Sequence, residues 1–335
     1  MKILLTGGTG NLSYAVTELA ASRGFRVSVL NRGLNRSRPL PDGVRVLGAD
    51  LGDRSAVKAV VADEHFDAVI QFRAFTAADV ENDIAIFGDR INQYILISSA
   101  SVYQKPPVHY RITESTPLDN QFWEYSRGKI ACEYRAMQAY QDQRFPVTIV
   151  RPSYTYDCTW IPAAVGGRDY TVTNRMRHGK PIIVHGDGQS LWTMTHASDF
   201  AVGLLGLVGN QQALGESFHI TSDEVLTWDQ IYQAIGDAAG VRPRLVHIAS
   251  ERIGRLAPDW LAFLLGDKAC TMVFDNSKIK RAVPEFRARV SFAAGVRRSM
   301  AWFDEDESRK QVNREVDAMI DRIIAADRLT VSEPG

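Results

Sequence analysis

The chain opens on a short apolar run, Lys2-Ile3-Leu4-Leu5, which predicts a strand. Thr6-Gly7-Gly8-Thr9-Gly10 breaks it. Leu12, Ala15, Val16, Leu19 and Ala20 then recur at helical spacing until Gly24, and Arg26-Val27-Ser28-Val29-Leu30 returns to an extended run. The alternation continues. Apolar runs at 43–47, 67–70, 94–97 and 147–150 predict further strands, and 55–61, 76–89 and 121–140 predict the helices between them, the last capped by Asp119-Asn120. Strands alternating with helices predict an α/β fold, a Rossmann-type doubly wound parallel sheet. Further along, helices are expected at 171–178, 202–208, from 226, at 292–303 and at 312–324, with strands at 181–185 and 216–221.

A strand that feeds a glycine turn and then a helix leaves free N–H groups at the positive end of the helix dipole, which suits a pyrophosphate. The turn reads T-G-x-x-G, with Ser13 where many dinucleotide folds carry a third glycine. Thr6, Gly7, Gly10, Asn11 and Leu12 are therefore candidate cofactor contacts. At the end of the second strand, where an acid binds an adenosine ribose 2′-OH, the chain has Asn31 and then Arg32. A guanidinium suits a 2′-phosphate, so NADP is favoured over NAD. Arg36 and Arg38 follow, as further phosphate partners or as solvated loop charges. Asp50, followed by Leu51, has two readings: acceptor for the adenine amino group, or cap of the helix at 55–61. Gln71 and Phe72 continue the carboxyl edge of the fourth strand towards the cofactor, and Arg73 stands next to them.

The fifth strand runs into Ser98-Ser99-Ala100-Ser101-Val102-Tyr103. Downstream, Tyr125 and Lys129 are four residues apart and share one helical face. A tyrosine with its usual pKa near ~10 is a poor base, and a neighbouring ammonium favours the phenolate. Lowering that pKa by about three units corresponds to roughly 4 kcal/mol. A serine hydroxyl opposite holds the reacting oxygen.

Composition narrows the picture. The chain has 335 residues, 45% apolar and 23% charged, enough for a large core, and its formal net charge is zero. No basic block interleaved with aromatics appears, so nucleic acid is not the expected partner. Cys132, Cys158 and Cys270 give neither a disulfide framework nor metal spacing, so no metal is expected. No apolar run spans a bilayer and no leader precedes the first strand, so a cytoplasmic protein without membrane contact is expected.

The glycine turn, Asp50-Leu51, the serine cluster and Tyr125-Ser126-Arg127-Gly128-Lys129 resemble, in order, the extended short-chain dehydrogenase/reductases of the sugar-nucleotide epimerase and dehydratase type. The resemblance continues through Arg151-Pro152-Ser153-Tyr154-Thr155-Tyr156, His196 to Asp199, and Asp275-Asn276-Ser277-Lys278. It implies Ser99 as the catalytic hydroxyl, Tyr125 as acid/base, and Lys129 as the residue that binds the nicotinamide ribose and lowers the tyrosine pKa. Pro152 joins the cofactor contacts. It implies an NAD(P)-binding domain at 1–152, to which about 193–222 returns, a smaller C-terminal substrate domain from 153–192 and 223–335, and a homodimer built on helices near 77–89 and 121–140.

Departures from the family bear on the substrate. Gln71 and Arg73 replace histidine and small residues, and Gln104 replaces a glycine. Trp192 stands where sugar-nucleotide enzymes place an arginine for the diphosphate, which weakens the nucleotide-sugar assignment more than the dehydrogenase one and leaves a bare sugar, a glycoside or another polyol-like ring to stack on Trp192 instead. Tyr154, Tyr156, Trp160 and Trp123 are further aromatic candidates, and Ser101, Arg73 and Tyr154 join Trp192 as substrate contacts, Arg73 having two readings: partner of an anionic substrate group, or a side chain turned outward to solvent. Ala100 and Ser101 lack the acid pair of a common 4,6-dehydratase. The expected activity is NAD(P)-dependent oxidoreduction or epimerisation at a hydroxyl of a sugar or nucleotide sugar. The alternatives are an NADPH-dependent reductase of a non-sugar carbonyl, and a non-catalytic dinucleotide-sensing or RNA-associated protein.

Overall fold

The computed structural model describes residues 1–33 and 38–331. The first half runs β1 (Lys2–Thr6), α1 (Asn11–Ser22), β2 (Arg26–Asn31), β3 (Arg45–Gly48), α2 (Arg54–Val60), β4 (Ala68–Gln71), α3 (Ala77–Phe87), β5 (Tyr94–Ile97), β6 (Arg111–Ile112), α4 (Glu124–Gln143) and β7 (Val147–Pro152). The second half continues with β8 (Tyr154–Tyr156), α5 (Thr171–Arg177), β9 (Pro181–His185), β10 (Leu191–Trp192), β11 (Met194–His196), α6 (Ala197–Leu207), β12 (Ser217–Ile220), β13 (Leu226–Thr227), α7 (Trp228–Ala239) and β14 (Arg244–Ile248). Then follow α8 (Ser250–Gly254), α9 (Pro258–Phe263), a π-helical turn at Leu264–Lys268, β15 (Val273–Phe274), α10 (Ser277–Ala282), α11 (Phe292–Asp304) and α12 (Arg314–Val331).

Seven strands form one parallel sheet in the order β12-β7-β5-β4-β1-β2-β3. Its inner strands are buried on both faces, which is why they read as continuous apolar runs rather than as alternation. The chain leaves β1 towards β2 on one side and β4 lies on the other. This reversal opens a crevice at the carboxyl end of β1, the place where such sheets bind ligands. Hydrophobic clusters cover both faces, one around Ile3, Val16, Val29 and Phe200, the other around Leu4, Val57, Val69 and Ala136.

A further cluster gathers α5, α7, α11 and α12 with the β9–β14 pair around Trp192, Trp228, Tyr232 and Val184. The short parallel pair of β8 and β11 carries the chain between this region and the sheet. No helix among the described residues is long and apolar enough to cross a membrane.

Two local expectations shift. α4 begins at Glu124 rather than near 121, because the Asn120 Oδ1 first accepts the Phe122 and Trp123 N–H groups at 3.2 Å each and bends the chain before the helix starts. α2 is capped by Asp53, whose Oδ1 accepts from the Ser55 and Ala56 N–H groups at 3.0 Å. Asp50 is therefore not its cap.

Candidate active site

A cleft of about 890 Å³ lies over the carboxyl edge of the sheet and is floored by the glycine turn. Gly7 and Gly8 take φ of 102° and 78°. A Cβ on Gly8 would sit 2.3 Å from Val29 Cγ1, so glycine is required on both backbone and steric grounds. The first turn of α1 carries no acidic side chain, which leaves its N-terminus suited to an anion. Thr6, Gly7, Gly10, Asn11, Leu12 and Phe72 line this part of the cleft. Ser98 Oγ, buried in the cleft wall, has no hydrogen-bond partner among the described residues. The glycine cradle, the helix end and this unsatisfied hydroxyl fit a dinucleotide.

Several candidates are already engaged. Asn31 Nδ2 donates to Gly7 O at 2.7 Å, and Asn31 Oδ1 accepts the Gly33 N–H at 2.7 Å, so this side chain braces the glycine turn from the cleft wall. Asn11 donates to Thr155 O at 3.0 Å and accepts the Asp157 N–H at 2.8 Å, tying α1 to β8. Arg32 and Asp50 face each other 3.7 Å apart at an exposed end of the cleft, with Leu51 beside them. Arg38 is not a solvated charge. It stacks on the Tyr14 ring at 3.8 Å and pairs with Asp157 at 2.7 Å. Arg36 lies outside the described residues.

Gln71 does not reach the cleft. It is buried beneath it, accepting from Thr6 Oγ1 and from the Arg73 N–H, and donating to Asp83 Oδ2 at 2.6 Å. Tyr94 donates to the same Asp83 oxygen at 2.6 Å, and Thr6 Oγ1 accepts the Phe72 N–H at 2.9 Å. The amide fixes the floor on which Phe72 sits instead of contacting a ligand. Burial pushes the Asp83 carboxyl up to about 6.

Ser99, Tyr125 and Lys129 converge on the cleft from the end of β5 and from α4. Tyr125 lies between Trp123, 4.7 Å away, and Phe75, 6.3 Å away. Lys129 is buried, donates to Ala74 O at 2.7 Å and Ile97 O at 2.9 Å, and stands 5.9 Å from the Tyr125 ring centre. Burial pulls its ammonium down to about 8. The phenol departs from the expectation of a lowered pKa. Burial pushes Tyr125 up to about 12, although the Ser99 hydrogen bond pulls the other way. The reason is geometric: the phenol is desolvated and faces the Asp267 carboxylate, while the Lys129 ammonium is directed at two backbone carbonyls.

Pro152, Ser101, Arg73 and Tyr154 also line the cleft. Arg73 is at once exposed and on the rim, its guanidinium 5.3 Å from the Phe75 ring. Tyr154 donates to Ala163 O at 2.9 Å. Trp123 and Trp160 are present, whereas Tyr156 is buried against Phe292 and His196. Trp192 is a correction. It is 1% exposed and stacks on Trp228 at 5.8 Å in the apolar cluster, so no sugar reaches its face.

Four further residues line the cleft without a sequence signal: Phe75 beside Tyr125 and Lys129, and Arg168, Asp267 and Lys268 on the far wall. Lys268 pairs with Asp267 at 2.7 Å and sits 4.3 Å from the Tyr154 ring, while Arg168 lies 4.4 Å from the Trp160 ring. Asp267 and Lys268 arrive on the π-helical turn, which has no sequence periodicity. Only Gly166-Gly167 before Arg168 marked a tight turn there.

A family model described as the NAD dependent epimerase/dehydratase family matches residues 84–220, and one described as the RmlD substrate binding domain matches residues 1–94. A 2′-dehydrokanamycin reductase of Streptomyces kanamyceticus is 27% identical over 295 residues, 86% of this chain and 81% of that one. The chloroplast stem-loop binding protein of 41 kDa b of Arabidopsis thaliana is 27% identical over 73% of this chain and 65% of its own length. The epimerase Mth375 of Methanothermobacter thermautotrophicus superposes with a TM-score of 0.77 at 17% identity, covering 92% of this chain and 93% of that one. The two models together span residues 1–220 on a Rossmann sheet, so over that stretch the chain is similar to the NAD-dependent epimerase/dehydratase and RmlD families, and its relatives and structural neighbours include reductases, dehydratases and epimerases.

Proposed function

We propose that this cleft catalyses reversible oxidoreduction at a hydroxyl carbon of a carbohydrate-like ring, with NADP(H) preferred over NAD(H). The observation that carries the reading is the convergence of Ser99, Tyr125 and Lys129 with the glycine turn in one cleft. A nicotinamide dinucleotide held along the glycine turn supplies the hydride acceptor or donor. In the oxidising direction the Tyr125 phenolate takes the proton of the substrate hydroxyl while Ser99 holds that oxygen. Lys129 keeps a positive charge behind the phenolate and holds the cofactor ribose. In the reducing direction Tyr125 returns the proton to the carbonyl oxygen. The aromatic wall of Trp123, Tyr154 and Trp160 suits the C–H face of a sugar ring, and its polar members suit hydroxyls.

The relative named for reducing 2′-dehydrokanamycin, together with Arg32 at the ribose position, favours net reduction over epimerisation. Tyr125→Phe is expected to lower turnover at least about a hundredfold and to leave NADPH binding within threefold. Full activity in this variant would remove the proposed acid/base. A stoichiometric nicotinamide carried through purification, measured by absorbance of the denatured supernatant, would instead favour epimerisation.

A second reading follows from the relative named for stem-loop binding: association with RNA. The intact Ser99, Tyr125 and Lys129 set and the zero net charge weigh against it. Tight RNA binding with a steep salt dependence would reverse that order. We also assign a homodimer contact to α3 and α4, which pack side by side and leave Tyr134 exposed. Light scattering that returned a monomer mass would exclude it.

A further inference from the structure

The turn after β5 holds more hydroxyls than hydride transfer needs. Ser99 Oγ accepts the Ser101 N–H at 3.2 Å and lies 2.9 Å from Ser101 Oγ. Ser126, the residue after Tyr125 on α4, is fully buried and donates its hydroxyl to Ser101 Oγ at 2.8 Å. Asn120 Nδ2 donates to Ser101 O at 2.7 Å and to Gly266 O at 2.6 Å, which clamps the serine turn against the far wall.

A serine hydroxyl has one proton to give and two positions at which to accept. The proton of Ser126 is committed to Ser101. The proton of Ser101 then has Ser99 Oγ within reach. Ser99 Oγ thereby receives both the N–H and the O–H of Ser101, and both of its accepting positions are filled. What remains is its own proton, which points into the cleft toward the Tyr125 phenol oxygen, the place where a reacting oxygen would also stand.

We propose that Ser126 and Ser101 are positioning residues that hold Ser99 as a hydrogen-bond donor only, aimed at the reacting oxygen. The inference deepens the reading of the cleft as a hydride-transfer site and rests on it for its kinetic consequence. A Ser99 locked in this way does not take the proton of a substrate hydroxyl, so that proton passes to Tyr125 alone. A chain of hydroxyls donating in one direction also polarises its last member, which strengthens the bond that Ser99 gives. Ser101, placed among the substrate contacts by sequence, acts in this arrangement through Ser99.

Neutron diffraction on deuterium-exchanged wild-type crystals tests the proton arrangement without any substrate. The expected map has the Ser126 deuteron on Ser101, the Ser101 deuteron on Ser99, and the Ser99 deuteron directed into the cleft. A Ser99 deuteron on Ser101 Oγ overturns the proposal. In turnover assays Ser126→Ala is expected to lower kcat about tenfold, to keep KM within threefold, and to move the ionisation seen in kcat to higher pH. Ser126→Thr, which keeps the hydroxyl, is expected to restore the pH profile. An unchanged profile in Ser126→Ala also overturns the proposal. Full activity in Tyr125→Phe would sink the assignment of the reaction instead, and the neutron map would still decide the orientation of Ser99.

Discussion

Arg151 and Glu133 form a bidentate ion pair in the interior, with Nη2 2.6 Å from Oε2 and Nε 3.0 Å from Oε1. The pair joins β7 to α4. Glu133 lies one turn after Lys129, and Pro152, next to Arg151, lines the cleft. The Arg151 Nη1 also donates to Tyr103 Oη at 3.3 Å and to Glu114 O at 3.2 Å, so the guanidinium is satisfied on several sides. The helix that carries Tyr125 is thus anchored to the sheet edge by charge as well as by packing.

Glu133→Ala leaves the Arg151 charge buried without its counter-ion. It is expected to cost about 3–5 kcal/mol of stability, read as a lower urea midpoint. A loss below about 1 kcal/mol would mean that α4 is held by its apolar face alone.

Asp83 links pH to stability. Its folded pKa of about 6 lies above the unfolded value, so the folded state binds more protons between roughly pH 4 and 6 and stability falls as pH rises through that window. Asp83→Asn keeps an oxygen for Gln71 and Tyr94 and removes the charge. The variant is expected to match wild type near pH 4 and to exceed it by up to about 3 kcal/mol at pH 7. Denaturation at the two pH values measures the difference, and an equal gap at both would refute the linkage.

Gly8→Ala forces a side chain into the left-handed region and against Val29. An expected loss of at least about 1 kcal/mol accompanies weaker NADPH binding, because the turn that presents the N–H groups has to move. Fluorescence titration together with thermal unfolding reads both.

Arg32 and Arg38 separate two roles that sequence placed together. Arg32→Ala is expected to weaken NADPH binding at least about tenfold and NADH binding less than threefold, since only the former has a 2′-phosphate. Arg38→Ala removes the partner of buried Asp157, so its main effect is expected on stability, with equal effects on the two cofactors. A common effect of Arg32→Ala on both cofactors would withdraw the NADP preference.

Lys129→Met removes the positive charge behind Tyr125. The rate of oxidation is expected to fall, and the pH at which the phenolate form appears is expected to rise, because the phenolate loses a nearby positive charge. A pH–rate profile of kcat/KM that keeps its wild-type ionisation would show that Lys129 acts only through the cofactor ribose.

What the chain determines by itself is local and repetitive. Apolar runs buried on both faces marked β1, β4, β5 and β7, and the glycine turn lay where a strand hands over to a helix. Tyr125 and Lys129 share a face because they are four residues apart on one helix. Long-range packing decided the rest. Trp192 reads as a ligand platform until Trp228 covers it, and Gln71 reads as a cofactor contact until Asp83 and Thr6 take up its amide. Asp267 and Lys268 carry no pattern at all, and they line the cleft only because Gly266 packs on Trp123 and accepts from Asn120, 146 residues away in the chain. Whether a polar or aromatic side chain meets solvent, ligand or core depends on partners distant in sequence. Periodicity reports which face of an element is apolar, and the tertiary structure alone says what that face meets.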